Sequence, residues 1–320
     1  MHLNPIPNFL PRAAGAWEDG LVVTAVISDL HLGMRTKADL LARPEVRERL
    51  IGELESVDQV VLLGDSIELR DGPLSEALAT AAPFFEELAE ALSGRRVILV
   101  PGNHDYQLAA RWLARRGDRP LGLEELSAPL QGDPLESLAR RMRGTELVLA
   151  YPGVWLRPDV YATHGHYLDC HNDVRTFECL ARALVERLKR APRDGYSTPD
   201  DYEAVLAPVY RAIYRVAQSR RARHAARTGK AVVRWWEHLN GYRGPRRRPG
   251  VGAMAQVVDR LRIDADYVLF GHLHRAGSWR IEGGTTLLNT GSWIEADAPC
   301  RPGSCTLIRE NSAPELRQLL

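Results

Sequence analysis

Short apolar runs alternate with amphipathic stretches through the first half of the chain. Each run holds four to six residues, is rich in Val, Ile and Leu, and stops at polar or glycine residues. Continuous apolar runs of this length are typical of strands buried on both faces of a sheet. The sequence therefore predicts strands at Val22–Ile27, Val60–Leu63, Val97–Val100, Leu147–Ala150 and Val160–Thr163.

Helical spacing separates the first three runs, at Pro44–Ser56 and Pro73–Leu92. A proline opens each stretch, which suits the first turn of a helix. Near the C-terminus the apolar runs return, and three more strands are predicted at Tyr267–Phe270, Thr285–Leu288 and Cys305–Ile308. Strands that alternate with helices indicate an α/β fold built on a parallel sheet.

The middle of the chain has a different pattern. Apolar residues follow helical spacing from Val174 to Leu188, after a candidate cap at Asn172, and again from Tyr202 to Tyr214. Pro208 is expected to kink the second helix. We interpret residues 171–262 as an inserted, largely helical cap, and residues 1–170 and 263–320 together as the main domain.

The net charge of +1 conceals a strong asymmetry. Residues 211–248, called the basic segment below, hold twelve Lys and Arg and one acidic residue, so they carry +11 and the rest of the chain carries −10. Steering of an anionic substrate and a plain solvated face are the first interpretations. An anionic membrane surface follows, since Trp235 and Trp236 adjoin the charge, and nucleic acid ranks last.

Composition excludes several classes of protein. With 45% hydrophobic and 26% charged residues the chain has an ordinary globular balance. No uncharged apolar stretch approaches the roughly 18 residues of a membrane span, and Met1 to Gly20 shows no secretory signal pattern. The four Cys form no C-x-x-C pair, which predicts reduced thiols in a cytoplasmic protein, with peripheral membrane contact as the alternative.

Polar motifs stand directly after five of the predicted strands. Ligands of open α/β sheets bind beyond the carboxyl ends of the strands, so these motifs are expected to converge on one crevice. The motifs are Asp29-Leu30-His31, Gly64-Asp65, Gly102-Asn103-His104-Asp105, His164-Gly165-His166 and Gly271-His272-Leu273-His274.

The residue types in these motifs favour a metal centre. A single buried His is usually a structural residue, but a crowd of His and carboxylates needs partners that a cation supplies. Imidazole together with carboxylate suits Mn, Fe or Zn better than Ca. We expect Mn, with Fe or Zn as alternatives, and no organic cofactor.

In their order and placement the five motifs resemble those of the calcineurin-like metallophosphoesterases. The resemblance implies an α/β/β/α sandwich, with two central sheets flanked by helices, as the catalytic domain. It implies two divalent metal ions, with Asp65 bridging them and His166 nearby as a substrate-contacting or supporting residue. One metal would be held by Asp29, His31, Asp65 and His274, and the other by Asp65, Asn103, His164 and His272. Residues Leu288–Ser292 resemble the closing strand and turn of the family.

This assignment implies hydrolysis of a phosphate ester or anhydride. Two cations lower the pKa of a bridging water, so that hydroxide is available to attack phosphorus. His104 is expected to protonate the leaving group or to contact the phosphate, with Asp105 orienting its imidazole. The expected partner is an anionic phosphorylated substrate, and monoester, diester and pyrophosphate all stay open, as does the oligomeric state.

Two alternatives accompany the general hydrolase. The place of the insertion is similar to that of the helical cap in the UDP-2,3-diacylglucosamine diphosphatase branch of the family, which often has Arg where this chain has His104. A protein of another class, a non-catalytic scaffold of the same fold such as a retromer subunit, is the second alternative. The complete set of ligand motifs together with His104 favours an enzyme.

Overall fold

A computed structural model describes residues 22–171, 196–217, 249–295 and 301–320. The predicted helix around 174–188, most of the basic segment and the pair Trp235–Trp236 lie outside these residues. The strands are β1 Thr24–Ile27, β2 Gln59–Leu63, β3 Arg96–Val100, β4 Glu124–Ser127, β5 Glu146–Arg157, β6 Val160–Thr163, β7 Tyr267–Phe270, β8 Gly277–Arg280, β9 Thr286–Asn289, β10 Ser304–Ile308 and β11 Glu315–Gln318. The helices are α1 Pro44–Leu54, α2 Leu74–Ala91, α3 Gln107–Arg116, α4 Pro134–Arg141, α5 Pro199–Ala217 and α6 Pro249–Leu261.

All eleven strands belong to one hydrogen-bonded sheet. Their order is β11-β10-β1-β2-β3-β5-β6-β7-β9-β8, with β4 paired to β5 outside this path. The neighbours β1, β2 and β3 are parallel, and so are β6, β7 and β9. The predicted α/β fold with a large central sheet flanked by helices is confirmed.

The long strand β5 joins the two halves of this sheet. Residues 146–149 pair with β3 and residues 153–157 pair with β6, so one strand serves both halves. We call the half from β11 to β3 the first wing and the half from β6 to β8 the second wing. The two predicted layers are therefore continuous through a shared strand.

A buried apolar cluster lies between the wings. Its thirteen members come from strands of both wings, among them Val26, Val61, Leu269 and Leu288, and none comes from a described helix. These side chains are at most 3% exposed. Because no described helix contributes to the cluster, the strands of each wing cover those of the other. The wings thus pack face to face, as expected of a sandwich.

A larger apolar cluster lies on the outer faces, under the helices. It joins strand residues such as Val60 and Leu99 to Leu50 of α1, Phe85 of α2 and Met254 of α6. Helix α6 precedes β7, which runs parallel to its neighbour β6, so α6 completes the crossover that parallel strands require. The boundaries of the insertion at 171 and 262 stay a prediction.

Helix α5 matches the predicted helix around Tyr202–Tyr214, with Pro208 inside it. Its side chains Tyr202, Tyr210 and Tyr214 are almost fully buried. No helix in the part of the chain that the structure describes is long and apolar enough to cross a bilayer.

Five elements were missed by the sequence patterns, for a common physical reason. Strands β4, β8 and β11 are short and only partly buried, with sequences such as Glu-Leu-Arg-Gln in β11. Edge strands need no continuous apolar run, because one side meets solvent. Helices α3 and α4 span ten and eight residues and each buries only two side chains, so their apolar stripe is narrow.

Candidate metal centre

The first group of site residues consists of Asp29, His31 and His274. Asp29 and His31 follow β1 and His274 follows β7, so the group joins the two wings. His274 Nε2 lies 3.1 Å from Asp29 Oδ1 and 3.2 Å from His31 Nε2. The three candidate ligand atoms lie within 4.8 Å of one another, so together they could hold a metal ion.

The second group consists of Asp65, Asn103, His164 and His272. Asp65 and Asn103 follow β2 and β3 of the first wing, and His164 and His272 follow β6 and β7 of the second. Asn103 Oδ1 lies 3.1 Å from both His164 Nε2 and His272 Nδ1. The Asp65, His164 and His272 atoms again lie within 4.8 Å of one another.

Asp65 lies between the two groups through a single oxygen. Its Oδ2 is 3.2 Å from His164 Nε2 and 3.8 Å from His31 Nε2. Its Oδ1 accepts a hydrogen bond from the backbone N–H of His104 at 2.7 Å. One oxygen thus faces both groups while the other fixes the carboxylate to the neighbouring loop.

Three of the imidazoles are oriented by a hydrogen bond from the nitrogen that points away from the centre. His31 Nδ1 donates to Glu68 Oε2 at 3.1 Å, and His164 Nδ1 donates to the carbonyl of Leu63 at 3.0 Å. His272 Nε2 lies 2.9 Å from Asp169 Oδ1. A neutral imidazole carries one proton, so each of these bonds leaves a lone pair on the inward nitrogen, which is the form that binds a metal.

The distances between donor atoms fit a divalent cation. Metal bonds of about 2.0–2.1 Å to imidazole nitrogen or carboxylate oxygen place adjacent ligand atoms about 3 Å or slightly more apart. The contacts of 3.1–3.2 Å between the inward atoms have this spacing. The residues present therefore fit metal ions in both groups.

The amide of Asn103 has two useful orientations. With its oxygen inward, as described above, it adds an oxygen ligand to the second group. With the amide rotated, its NH₂ donates to Asp65, His164 and His272, and its oxygen accepts from Arg70 at 2.9 Å. A cation favours the first orientation and a cation-free centre favours the second, because inward acceptors need either a metal or a donor.

The electrostatics of the centre favour added positive charge. Burial disfavours the charged ring, but the Glu68 hydrogen bond and the Asp65 charge raise the pKa of His31 to about 9. Burial is likewise outweighed at His164, where Asp65 raises the pKa to about 10. The pKa of Asp65 is held well below its usual range by these rings despite its burial. Without a cation, protons occupy the place that metals would take.

Backbone strain is concentrated in the same residues. Seven non-glycine residues of the described chain have positive φ, and five of them are predicted ligands. Such angles are uncommon for residues with a Cβ and persist where the surroundings dictate them, often at functional sites. The five are Asp29, His31, Asp65, His272 and His274, with φ between 47° and 68°.

Glycine is required at two positions of the motifs because side chains of the site approach the backbone closely there. A Cβ on Gly64, where φ is +82°, would lie 2.2 Å from Nδ1 of His164. A Cβ on Gly271 would lie 2.4 Å from Oδ2 of Asp29. Ligand side chains thus pack directly on these backbones, which explains why Gly precedes Asp65 and His272.

His104 lies at the mouth of the centre, with 15% of its side chain exposed. Its Nδ1 lies 2.6 Å from Glu68 Oε2, and its Nε2 accepts from Arg70 Nη1 at 3.2 Å. Burial and the Arg70 charge lower the pKa of His104 to about 4, against the opposing effect of Glu68. The ring is therefore neutral in the substrate-free protein.

The prediction that Asp105 orients His104 is corrected by the structure, because that contact is made by Glu68. Asp105 instead accepts hydrogen bonds from the backbone N–H groups of Gly102 at 2.6 Å and Ser66 at 2.8 Å. Burial raises the pKa of Asp105 to about 7. Its carboxyl group holds the loops after β2 and β3 together.

Sequence reasoning missed Glu68 and Arg70, which are buried beside the site. Glu68 hydrogen-bonds to both His31 and His104, and these rings hold its pKa well below the usual range although burial opposes ionisation. Arg70 Nε donates to the carbonyl of Asn103 at 3.0 Å. The sequence feature that could have indicated them is a pair of charged residues, three and five positions after Asp65, that alternate with apolar Ile67 and Leu69.

His166 does not belong to either ligand group. It is 1% exposed, its ring centre lies 5.7 Å from that of His164, and its Nε2 lies 3.4 Å from the hydroxyl of Tyr151. Burial and the neighbouring His164 keep its pKa well below the usual value. The structure thus places it beside the centre as a neutral ring.

Fold and site together define an α/β protein with a His- and Asp-lined metal-binding centre at the carboxyl ends of its strands. A model of the calcineurin-like phosphoesterase family matches residues 22–276, and the chain belongs to this family. The resemblance seen in the motifs is thereby confirmed. No curated protein matches the sequence.

A comparison with solved structures finds similarity to the following three, among others. A dimetal phosphatase from Danio rerio is 16% identical, with 94% of this chain and 100% of that chain covered and a TM-score of 0.41. A metallophosphoesterase from Sphaerobacter thermophilus is 12% identical, with 91% and 84% covered and a TM-score of 0.35. A Vps29 mutant from Entamoeba histolytica is 15% identical, with 89% and 84% covered and a TM-score of 0.30.

Proposed function

We propose that this chain is a dinuclear-metal-dependent hydrolase of phosphate esters or anhydrides. The observation that carries the proposal is the orientation of His31, His164 and His272, whose outer nitrogens are held by hydrogen bonds so that each neutral ring offers a lone pair inward. One metal would be held by Asp29, His31, Asp65 and His274, and the second by Asp65, Asn103, His164 and His272. When bound, the two cations supply an activated water and offset charge on the phosphoryl oxygens.

The exposed side of the centre defines where a substrate binds. Fourteen to twenty per cent of the side chains of His104, His272 and His274 is exposed, whereas Asp29, Asp65 and His164 are at most 1% exposed. A phosphoryl group therefore approaches on the side of these three partly exposed imidazoles. The buried carboxylates stay shielded from water, which strengthens their interaction with cations.

His104 lies at that entrance, and the buried Arg70 lies directly behind it, with its Nη1 donating to Nε2 of His104 at 3.2 Å. Arg70 offers guanidinium donors that suit phosphate oxygens. A phosphate anion beside His104 adds the negative charge that favours the protonated ring. With Glu68 holding Nδ1, protonation of Nε2 replaces the hydrogen bond that it accepts from Arg70, and the new N–H can donate to the leaving group or to a phosphate oxygen.

The test uses purified protein stripped with a chelator and reloaded with Mn²⁺, followed by metal analysis. Turnover is measured on a panel holding a phosphomonoester, a phosphodiester and a pyrophosphate. We expect two Mn²⁺ per chain and hydrolysis of at least one substrate class, lost on chelation and restored by Mn²⁺. Full metal loading without turnover on any substrate would contradict the hydrolase and favour a scaffold of the same fold.

A further inference from the structure

Helix α5 reaches the second metal site from two directions. Tyr214, near its C-terminal end, donates its hydroxyl to the backbone carbonyl of Asn103 at 2.9 Å. Tyr202 and Glu203, near its N-terminal end, contact the turn His166–Cys170 that follows β6. Both connections lead to ligands of the second group rather than to free surface.

The turn His166–Cys170 connects the N-terminal end of α5 to His272. Asp169 lies in this turn, and its Oδ1 is 2.9 Å from Nε2 of His272. The carboxylate accepts the proton of Nε2 and so leaves Nδ1 as the metal-binding nitrogen. An outer carboxylate that fixes the tautomer and the orientation of a ligating imidazole is a recurrent feature of metal sites.

The turn is itself held tightly by α5. Tyr167 stacks on Tyr202, with ring centres 4.6 Å apart and an angle of 6° between the planes. The hydroxyl of Tyr167 donates to Glu203 Oε1 at 2.9 Å, and His171 Nε2 lies 2.7 Å from the hydroxyl of Tyr202. The flanks of Asp169 are therefore fixed on both sides by one helix.

Glu203 also connects α5 to the main domain. Its carboxylate accepts further hydrogen bonds from Tyr106 at 2.9 Å and from Tyr151 at 2.5 Å. Tyr106 stands three residues after Asn103, at the start of α3. A buried carboxylate with three phenol donors is a satisfied network, and such networks favour a single geometry.

We propose that α5 and the turn His166–Cys170 form a support for the second metal site, in which Asp169 positions His272 and Tyr214 positions Asn103. The first site has a different support, because His31 is held by Glu68. This inference rests on the proposed function, since it requires two metals. It makes α5, one of the two described helices in the predicted insertion, a support of the metal centre.

The experiment titrates Mn²⁺ into chelator-stripped protein by calorimetry and follows Mn²⁺ by electron paramagnetic resonance. Asp169→Ala and Tyr214→Phe are each expected to weaken one of the two sites by about 10- to 100-fold, the range typical of outer-shell changes. The other site keeps its affinity, and the spectrum changes from that of a coupled pair to that of an isolated Mn²⁺. Asp169→Asn retains an acceptor for Nε2 and is expected to lose less than Asp169→Ala.

Tyr161→Phe is the matched control, because the hydroxyl of Tyr161 is buried and donates to the carbonyl of Leu123 at 2.7 Å. It removes the same kind of hydrogen bond without touching a ligand, so both sites are expected to keep wild-type affinity. Variants that bind two Mn²⁺ like the wild type, or that lose both sites equally, would overturn the support. A wild type that binds no Mn²⁺ would instead contradict the proposed function itself.

If Asp169→Ala does not fold, Tyr214→Phe decides the question, because it conserves the ring and its packing. Circular dichroism melting of each variant shows whether a loss of affinity reflects global unfolding. A folded Tyr214→Phe with two unaltered sites counts against the proposal.

Discussion

Strands β6 and β7 carry a polar cluster at each end, and the two clusters differ in one decisive respect. At the beginning of β6, Arg157 donates to both oxygens of Asp159, at 2.6 and 2.7 Å, and to the backbone carbonyls of Arg309, Glu310 and Ser312. All three nitrogens of the guanidinium donate to an acceptor of the protein. We call this the arginine cluster.

At the other end of the same strands, the metal centre has acceptors that face one another. His164 and His272 direct their inner ring nitrogens toward the carboxylate of Asp65 and the amide of Asn103. A cluster whose donors and acceptors match needs nothing further, whereas acceptors that face one another need a proton, a donating amide or a metal ion between them. The two clusters differ in this balance of hydrogen-bonding groups and also in burial, because Asp159 is one-third exposed whereas Asp29 and Asp65 are buried.

The largest expected effect follows from removing the oxygen shared by both metal groups. Asp65→Asn replaces an anionic oxygen that faces His31 and His164 by an amide. We expect metal-dependent hydrolysis to be abolished, a loss greater than the about 10- to 100-fold of outer-shell changes, while the protein stays folded. Turnover with Mn²⁺ measures the loss of activity, and circular dichroism measures whether the protein stays folded. Turnover near the wild-type value would show that Asp65 is not a ligand shared by two metals.

The next effect concerns the residue at the mouth of the centre. His104→Ala is expected to slow hydrolysis of substrates with poor leaving groups by about 10²-fold or more. Esters with activated aryl leaving groups are expected to lose much less, because they need no proton. The comparison of kcat on both substrate types is the measurement, and equal losses would argue against proton donation by His104.

The affinity for Mn²⁺ is expected to rise with pH. Metal binding must displace protons from His31 and His164, whose pKa values are raised to about 9 and about 10 in the cation-free protein. Below these values, each released proton makes the apparent affinity rise about tenfold per pH unit. Calorimetric titrations at pH 6, 7 and 8 in buffers of different ionisation enthalpy count the protons, and an affinity independent of pH would contradict the expectation.

The smallest effect on the metal centre is expected from the arginine cluster. Arg157→Ala removes hydrogen bonds to acceptors that are partly buried or exposed, so we expect the free energy of unfolding to fall by about 0.5–1.5 kcal/mol. Metal stoichiometry and turnover per folded molecule are expected to stay at wild-type values. Chemical denaturation and metal analysis check this, and a loss of Mn²⁺ would show that the two ends of the strands are coupled.

Sequence patterns were most successful where burial on both faces made the signal strong. The apolar runs of β1, β2 and β3 predicted these strands to within one or two residues. They failed at β8 and β11, where one side of the strand is exposed and the apolar run is absent. They also showed only the first part of β5, although its second half forms the junction between the wings.

Within the metal centre, neighbours in sequence were a poor guide to neighbours in space. Asp105 adjoins His104 in the chain, yet its carboxyl group turns back to backbone N–H groups of two loops. Glu68 lies 36 positions earlier and makes the contact to His104 at 2.6 Å. Adjacent side chains in a turn diverge, so only the packing of the β2 and β3 loops decides which carboxylate meets the imidazole.

The sequence by itself determined which donor types exist and that they follow strands, because apolar runs and the motifs after them are local features. It thereby indicated the family and the ligand residues Asp29, Asp65 and His164 before any contact was known. Tertiary structure alone decided which nitrogen of each imidazole points inward. That choice depends on outer partners such as Glu68 and Asp169, which folding brings from distant parts of the chain, and a hydrogen bond forms only where their atoms come within about 3 Å.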